Sequence, residues 1–140
     1  MTPYEVRTYM SQGWRIQKEL QARYRKMEEL RSMAEKTTAS FSLTPSAPSG
    51  ASSRVESYAI RIVEMQEDME ECVNQLWEVQ RKVQQMIDLA SDPLQKAVLI
   101  DYHLNGKTCA KVADDIGYSE RQVWRIMSAA YEEIAEKLSV

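Results

Sequence analysis

The sequence predicts an all-α protein: a long helical hairpin or coiled coil over residues 1–90, followed by a small three-helix unit over residues 91–140. Three observations predict it. Apolar residues recur every three or four positions through most of the chain. Only four Gly and four Pro interrupt its 140 residues, and they fall mostly where that period stops. Thr, Ser or Asp stands where a new periodic run begins, supplying the side-chain oxygens that satisfy the free N–H groups of a first helical turn.

The first helix is expected over Pro3 to Lys36. Thr2 can cap it and Pro3 suits its first turn. Tyr9, Ile16, Leu20, Met27, Leu30 and Ala34 form one stripe at threes and fours, with Gly13 and Arg23 on the same line. Gly13 weakens the first turns and lets another helix come close. The basic run Arg23-Tyr24-Arg25-Lys26 invites a nucleic-acid reading, but Glu28, Glu29 and Glu35 balance it as a solvated helix face. Residues 37–53, TTASFSLTPSAPSGASS, carry Ser, Thr, Pro and Gly with one Arg-free, acid-free stretch and no surviving period. They read as a flexible linker.

The longest regular stretch is Arg54 to Ala90. Val55, Tyr58, Ile62, Met65, Met69, Cys72, Leu76, Val79, Val83, Met86 and Ala90 alternate threes and fours over successive heptads, which is a coiled-coil seam. A helix of this length spans about 55 Å and cannot leave such a stripe in water. Either the first helix folds back on it or two chains pair. A second track of Ile60, Val63, Val73, Trp77 and Ile87 argues for more than one neighbour, hence a homodimer through residues 1–36 and 54–90.

Ser91-Asp92-Pro93 punctuates the chain. Asp92 can cap the next helix, Pro93 fits its first position and Gln95 can close a capping box. Leu94 to Leu104 is then a supporting helix, with Val98, Leu99 and Tyr102 facing its neighbours. His103, the single histidine, sits at the helix end beside the Asn105-Gly106 turn. Two further helices follow. Thr108 caps the first, whose Val112, Ala113 and Ile116 fall on one side. Gly117 ends it where the backbone needs a positive φ, and Tyr118 fills the corner. Ser119 caps the second, with Gln122 completing a capping box, and Val123, Ile126 and Ala130 face inward. A small residue in the first helix, a glycine at the turn and branched residues in the second are what a helix-turn-helix crossing requires.

The stretch DPLQKAVLIDYHLNGKTCAKVADDIGYSERQVWRIMSAAYEEIAEKL resembles the C-terminal helix-turn-helix of bacterial sigma factors. Asn105-Gly106, Thr108, Val112-Ala113, Ile116-Gly117, Ser119, Val123, Ile126 and Ala130 carry the resemblance, which covers roughly the last third of the chain. Nothing upstream resembles other sigma-factor regions. The layout is similar to small phage and prophage transcriptional regulators of the ArpU and RinA type. The resemblance implies a sequence-specific regulator, an activator of phage late genes, that reads the major groove with residues 120–138.

The residues themselves point to the contacts. Glu120, Arg121, Gln122, Trp124 and Arg125 occupy the front of the last helix and are the candidate base-reading set. Arg121 and Arg125, four apart, can each fork onto guanine O6 and N7 or hold a phosphate. Gln122 can pair with adenine and Glu120 can accept from cytosine N4. Trp124 departs from the sigma module, where a basic residue is common. It either stacks on a sugar or thymine methyl, or packs inward. Lys107, Thr108, Lys111 and Ser119 are candidate phosphate contacts, the hydroxyl-bearing Thr108 and Ser119 lying at helix starts with free N–H groups.

Composition sets the remaining bounds. With 44% apolar and 28% charged residues the chain can build a core, though not a large one. Its net charge of −3 is unevenly spread. Residues 1–36 carry eight Lys/Arg against five Asp/Glu, residues 54–93 four against nine, and residues 94–140 six against seven. So modest a positive surface implies salt-sensitive DNA affinity, aided by dimerisation or a partner. Cys72 and Cys109 lie far apart without ligand spacing and read as buried thiols in a reducing cytoplasm. No apolar run reaches membrane-spanning length and MTPYEVRTYM lacks a signal-peptide core, so a cytoplasmic protein is expected. No metal or other cofactor is expected, and adjacent Asp114-Asp115 diverge around their helix. With no nucleophile beside a base and no phosphate loop, the chain does not read as an enzyme. Two other functions stay open: DNA recognition of the small-terminase kind, and an adaptor that binds RNA polymerase rather than double-stranded DNA.

Overall fold

The computed structural model describes residues 1–43 and 49–139, with side chains described for 1–37 and 53–139. Among them the fold is all-helical and has no strand. Six α-helices follow one another: α1 (Pro3–Met10), α2 (Gln12–Leu43), α3 (Ser49–Ile87), α4 (Pro93–Leu99), α5 (Cys109–Ile116) and α6 (Glu120–Leu138). A π-helical turn, Ile100–Leu104, extends α4.

Several boundaries differ from the sequence reading, and α3 ends at Ile87 rather than at Ala90. The first helix is broken at Ser11, where the chain closes α1 with a bond from the Ser11 N–H to the Arg7 carbonyl, 3.1 Å. The expected linker 37–53 is also too long. Helical backbone continues to Leu43 and resumes at Ser49, because Ser, Thr and Ala do not stop a helix that is already propagating. Residues 44–48 of that linker lie outside the described residues.

The chain forms two compact units, Met1–Gln17 with Gln75–Val140, and Lys18–Asn74. These compact units do not follow the division expected at residues 90 and 91. In the first unit, Val6 and Met10 of α1 and Val83, Met86 and Ile87 of α3 are buried in one core with Val98, Leu99, Val112, Val123, Met127 and Ile134. A three-helix unit of α4 to α6 is too small to seal its own core, so residues at both ends of the upstream helices complete it. Val6 and Met10 are fully buried. These two side chains are therefore not available to a dimer interface, whereas Tyr4 and Trp14 of the same segment are exposed.

In the unit 18–74, the α2 stripe and the α3 seam are where the sequence placed them. Met27, Leu30 and Cys72 are buried, and Leu20, Val55, Tyr58, Ile62, Met65 and Met69 are half-buried. The Cys72 thiol donates to Glu19 Oε2 at 2.7 Å, and Arg23 reaches Asp68 at 3.6 Å. Glu19 precedes Arg23 while Cys72 follows Asp68, so the two helices run in opposite directions there. Of the basic run, Lys26 pairs with Glu29 at 3.3 Å as expected, whereas Arg23 takes Glu19 at 3.2 Å and Glu28 is taken by Arg31 at 3.4 Å.

Candidate nucleic-acid interface

The candidate residues are set by three helix ends. Thr108 caps α5 by accepting from the Lys111 N–H at 3.2 Å. At the other end of α5, Gly117 takes φ 73° and ψ 29°, the left-handed region that a side chain resists. The Gly117 N–H bonds the Asp114 carbonyl at 3.4 Å and the Tyr118 N–H bonds the Ala113 carbonyl at 3.0 Å, which is a Schellman closure. The Tyr118 backbone thus makes the corner. Its side chain does not fill it, being 44% exposed.

Ser119 then caps α6, accepting from the Gln122 N–H at 3.2 Å, while Gln122 Oε1 accepts from the Ser119 N–H at 2.8 Å. This is the expected capping box, and it limits what Gln122 can read. A bidentate pair with adenine needs the amide oxygen and nitrogen together. With the oxygen held by Ser119, only the NH₂ group is free to donate. At α4 the box does not form. Asp92 caps by accepting from the Leu94 N–H at 3.0 Å, but Gln95 Oε1 is buried without a hydrogen-bond partner, for which the packing offers no physical reason.

The inward face of α6 is Val123, Met127, Ala130, Tyr131, Ile134 and Ala135, all buried, with Ile126 only half-buried. The opposite front is open: Glu120, Arg121, Gln122 and Arg125 are exposed. Neither arginine has a carboxylate within 4.0 Å among the described residues. The lysines differ. Lys107 lies 3.0 Å from Asp115 and 3.6 Å from Asp101, and Lys111 lies 3.2 Å from Asp115. The hydrogen bond to Lys107, then that to Lys111, holds the Asp115 carboxyl below its usual range. Both lysines would have to exchange this carboxylate for a phosphate, which weakens their part in any backbone contact.

Trp124 takes the inward course of the two left open by the sequence. It is half-buried, edge-on to Tyr102 with ring centroids 5.7 Å apart, and the Arg7 guanidinium lies 4.7 Å over its ring. Below it is a buried polar pair that periodicity could not reveal. His103 is 6% exposed, and its Nε2 lies 2.7 Å from the Tyr131 hydroxyl. Burial, reinforced by the charge of Arg7, pulls the His103 pKa down to about 4, against the opposing pull of the Met10 backbone. Burial also pushes the Tyr131 hydroxyl well above its ordinary value. A neutral imidazole protonated on Nδ1 leaves Nε2 to accept from Tyr131.

The α5 N-terminus borders a cavity of about 440 Å³ whose lining includes Trp14, Arg15, His103, Lys107 and Thr108. No cluster of three metal-ligating side chains occurs among the described residues, and no helix there is long and apolar enough to cross a membrane. Arg7 is the residue sequence reasoning missed at this surface. The available signal was the Val6–Met10 pair, four apart, which gives α1 an apolar face in need of a partner. Set against family models, curated proteins and solved structures, the chain matches none of them.

Proposed function

We propose that α5 and α6 form a helix-turn-helix that places the first turns of α6 in the major groove of double-stranded DNA, in a sequence-specific transcriptional regulator. The observation that carries this reading is the pair Arg121 and Arg125. They are exposed, one helical turn apart, and without carboxylate partners among the described residues. The capping box at Ser119 leaves the N–H groups of Glu120 and Arg121 free at the same helix start, where a phosphate is favoured. The resemblance to the sigma-factor module and to phage regulators supplies the regulatory role, activation of late genes. The arrangement proposed for the whole chain is a helical hairpin that carries this module.

Self-association through the long helices is part of the proposal. Ile60 and Val63 on α3 remain 60% and 52% exposed, and a second copy would cover such side chains. Sedimentation velocity separates a dimer from the ring expected of a small terminase subunit.

The test of DNA reading is fluorescence anisotropy on labelled duplex, comparing wild type with the double variant Arg121→Ala, Arg125→Ala. Loss of binding by roughly tenfold or more supports the reading, since each bidentate contact contributes about 1–3 kcal/mol. Unchanged binding refutes this reading face. One observation favours a second reading, the RNA-polymerase adaptor: Lys107 and Lys111 are already occupied by Asp115. Capture of purified polymerase by a protein that ignores duplex DNA would support it.

A further inference from the structure

We propose that Arg7 of α1 is a third DNA-contacting arginine, a phosphate ligand held beside the reading helix by Trp124. The inference rests on the DNA-reading proposal and extends it to a part of the chain far from α6 in sequence.

Thr2 and Glu5 close a capping box at the start of α1, and Val6 and Met10 bury its inner side in the core of the α6 unit. The helix is therefore a fixed part of that unit, and its orientation fixes Arg7. The Arg7 guanidinium lies over the Trp124 ring, yet Arg7 as a residue is exposed. Trp124 lies three residues after Arg121, so these two positions are neighbours on the surface of α6. Arg7 thus stands over an indole whose neighbour on the surface of α6 is Arg121.

Its chemistry suits a phosphate. Stacking on an indole uses the face of the guanidinium and leaves its N–H edges to donate. No carboxylate lies within 4.0 Å of Arg7 among the described residues, whereas Lys107 and Lys111 are neutralised by Asp115. A stacked guanidinium also loses less side-chain freedom on binding than a free one. The partner is the phosphodiester backbone next to the groove that α6 occupies.

The experiment measures binding of the full chain to a labelled mixed-sequence duplex of about three helical turns over a salt series. Wild type, Arg7→Gln, Arg7→Lys and the Arg121→Ala, Arg125→Ala double variant are compared, with helical circular dichroism and melting recorded for each. Arg7→Gln is expected to weaken binding roughly tenfold at low salt. The slope of log affinity against log salt should become shallower by about 0.9, the loss of one phosphate contact. Arg7→Lys, which keeps the charge, should recover the wild-type slope. If Arg7→Gln binds like wild type while the double variant does not, Arg7 is no ligand and the α6 reading stands. A weaker affinity at unchanged slope would mark Arg7 as only a structural support and likewise overturns the proposal. If wild type fails to bind duplex, or no variant alters binding, the α6 reading falls and the Arg7 contact falls with it.

Discussion

His103 makes stability depend on pH in a window where few other groups titrate. In the fold its pKa is about 4, against an ordinary 6.5. The neutral imidazole is thus the form the core accepts, with Tyr131 on Nε2 at 2.7 Å. Above pH ~6.5 the ring is neutral in both folded and unfolded chains, and the full stability is present. As pH falls below that value the unfolded chain takes up a proton that the folded chain refuses, so stability declines. The decline ends near the folded value, below which both states are protonated. The whole difference corresponds to roughly 3 kcal/mol, of which about 2 kcal/mol is lost by pH ~5. The carboxylates held below their ordinary values, Glu19, Asp115 and Glu133, lose their contributions only at lower pH, as they are protonated in the fold. Between pH ~7 and ~5 the His103 contribution is therefore isolated. Urea denaturation of wild type and His103→Gln at pH steps through this range is the assay. Wild type should lose about 2 kcal/mol while the variant, lower at neutral pH, stays nearly flat. Parallel pH dependences for the two proteins would refute the burial of a neutral histidine between α1 and α6.

Three further outcomes follow from the same geometry. Gly117→Ala should destabilise by about 1 kcal/mol in a urea titration, because an added Cβ meets no atom within 4 Å and only the left-handed backbone strain, partly offset by unfolded-state entropy, remains. Met10→Ala should cost about 2–5 kcal/mol by the same measurement, the range for emptying a fully buried apolar site; a loss under ~1 kcal/mol would show that α1 is not an integral part of the α6 core. Alkylation of the native chain by iodoacetamide near neutral pH should be slow at both cysteines by peptide mapping. The hydrogen bond to Glu19 pushes the Cys72 thiol pKa up and burial does the same for Cys109, which lowers the thiolate fraction that reacts.

Helix type and the inner faces were legible because they depend on local spacing. The α3 seam from Val55 to Met86 and the α2 stripe from Ile16 to Ala34 are buried or half-buried throughout, as a three-four period requires whatever lies opposite. The caps at Thr2, Thr108 and Ser119 and the positive φ at Gly117 were legible for the same reason, since each joins atoms within a few residues. The break at Ser11 and the continuation of helix past Lys36 were not. Ser, Thr and Ala are compatible with helix or coil, and neighbouring structure decides between them.

Tertiary packing decided which segments share a core. Val6 and Met10 were visible as apolar residues, but nothing within α1 says that their partner is α6, more than a hundred positions away. The same separation hid Arg7 over Trp124 and the His103–Tyr131 pair, whose burial reverses the usual preference of a histidine at a helix end. The sequence by itself determined the helices, their caps and the open arginine front of α6, because all of these follow from contacts along one helix. Only the folded chain could decide that α1 completes the core beneath that front, since the area a helix buries depends on a surface its own sequence does not contain.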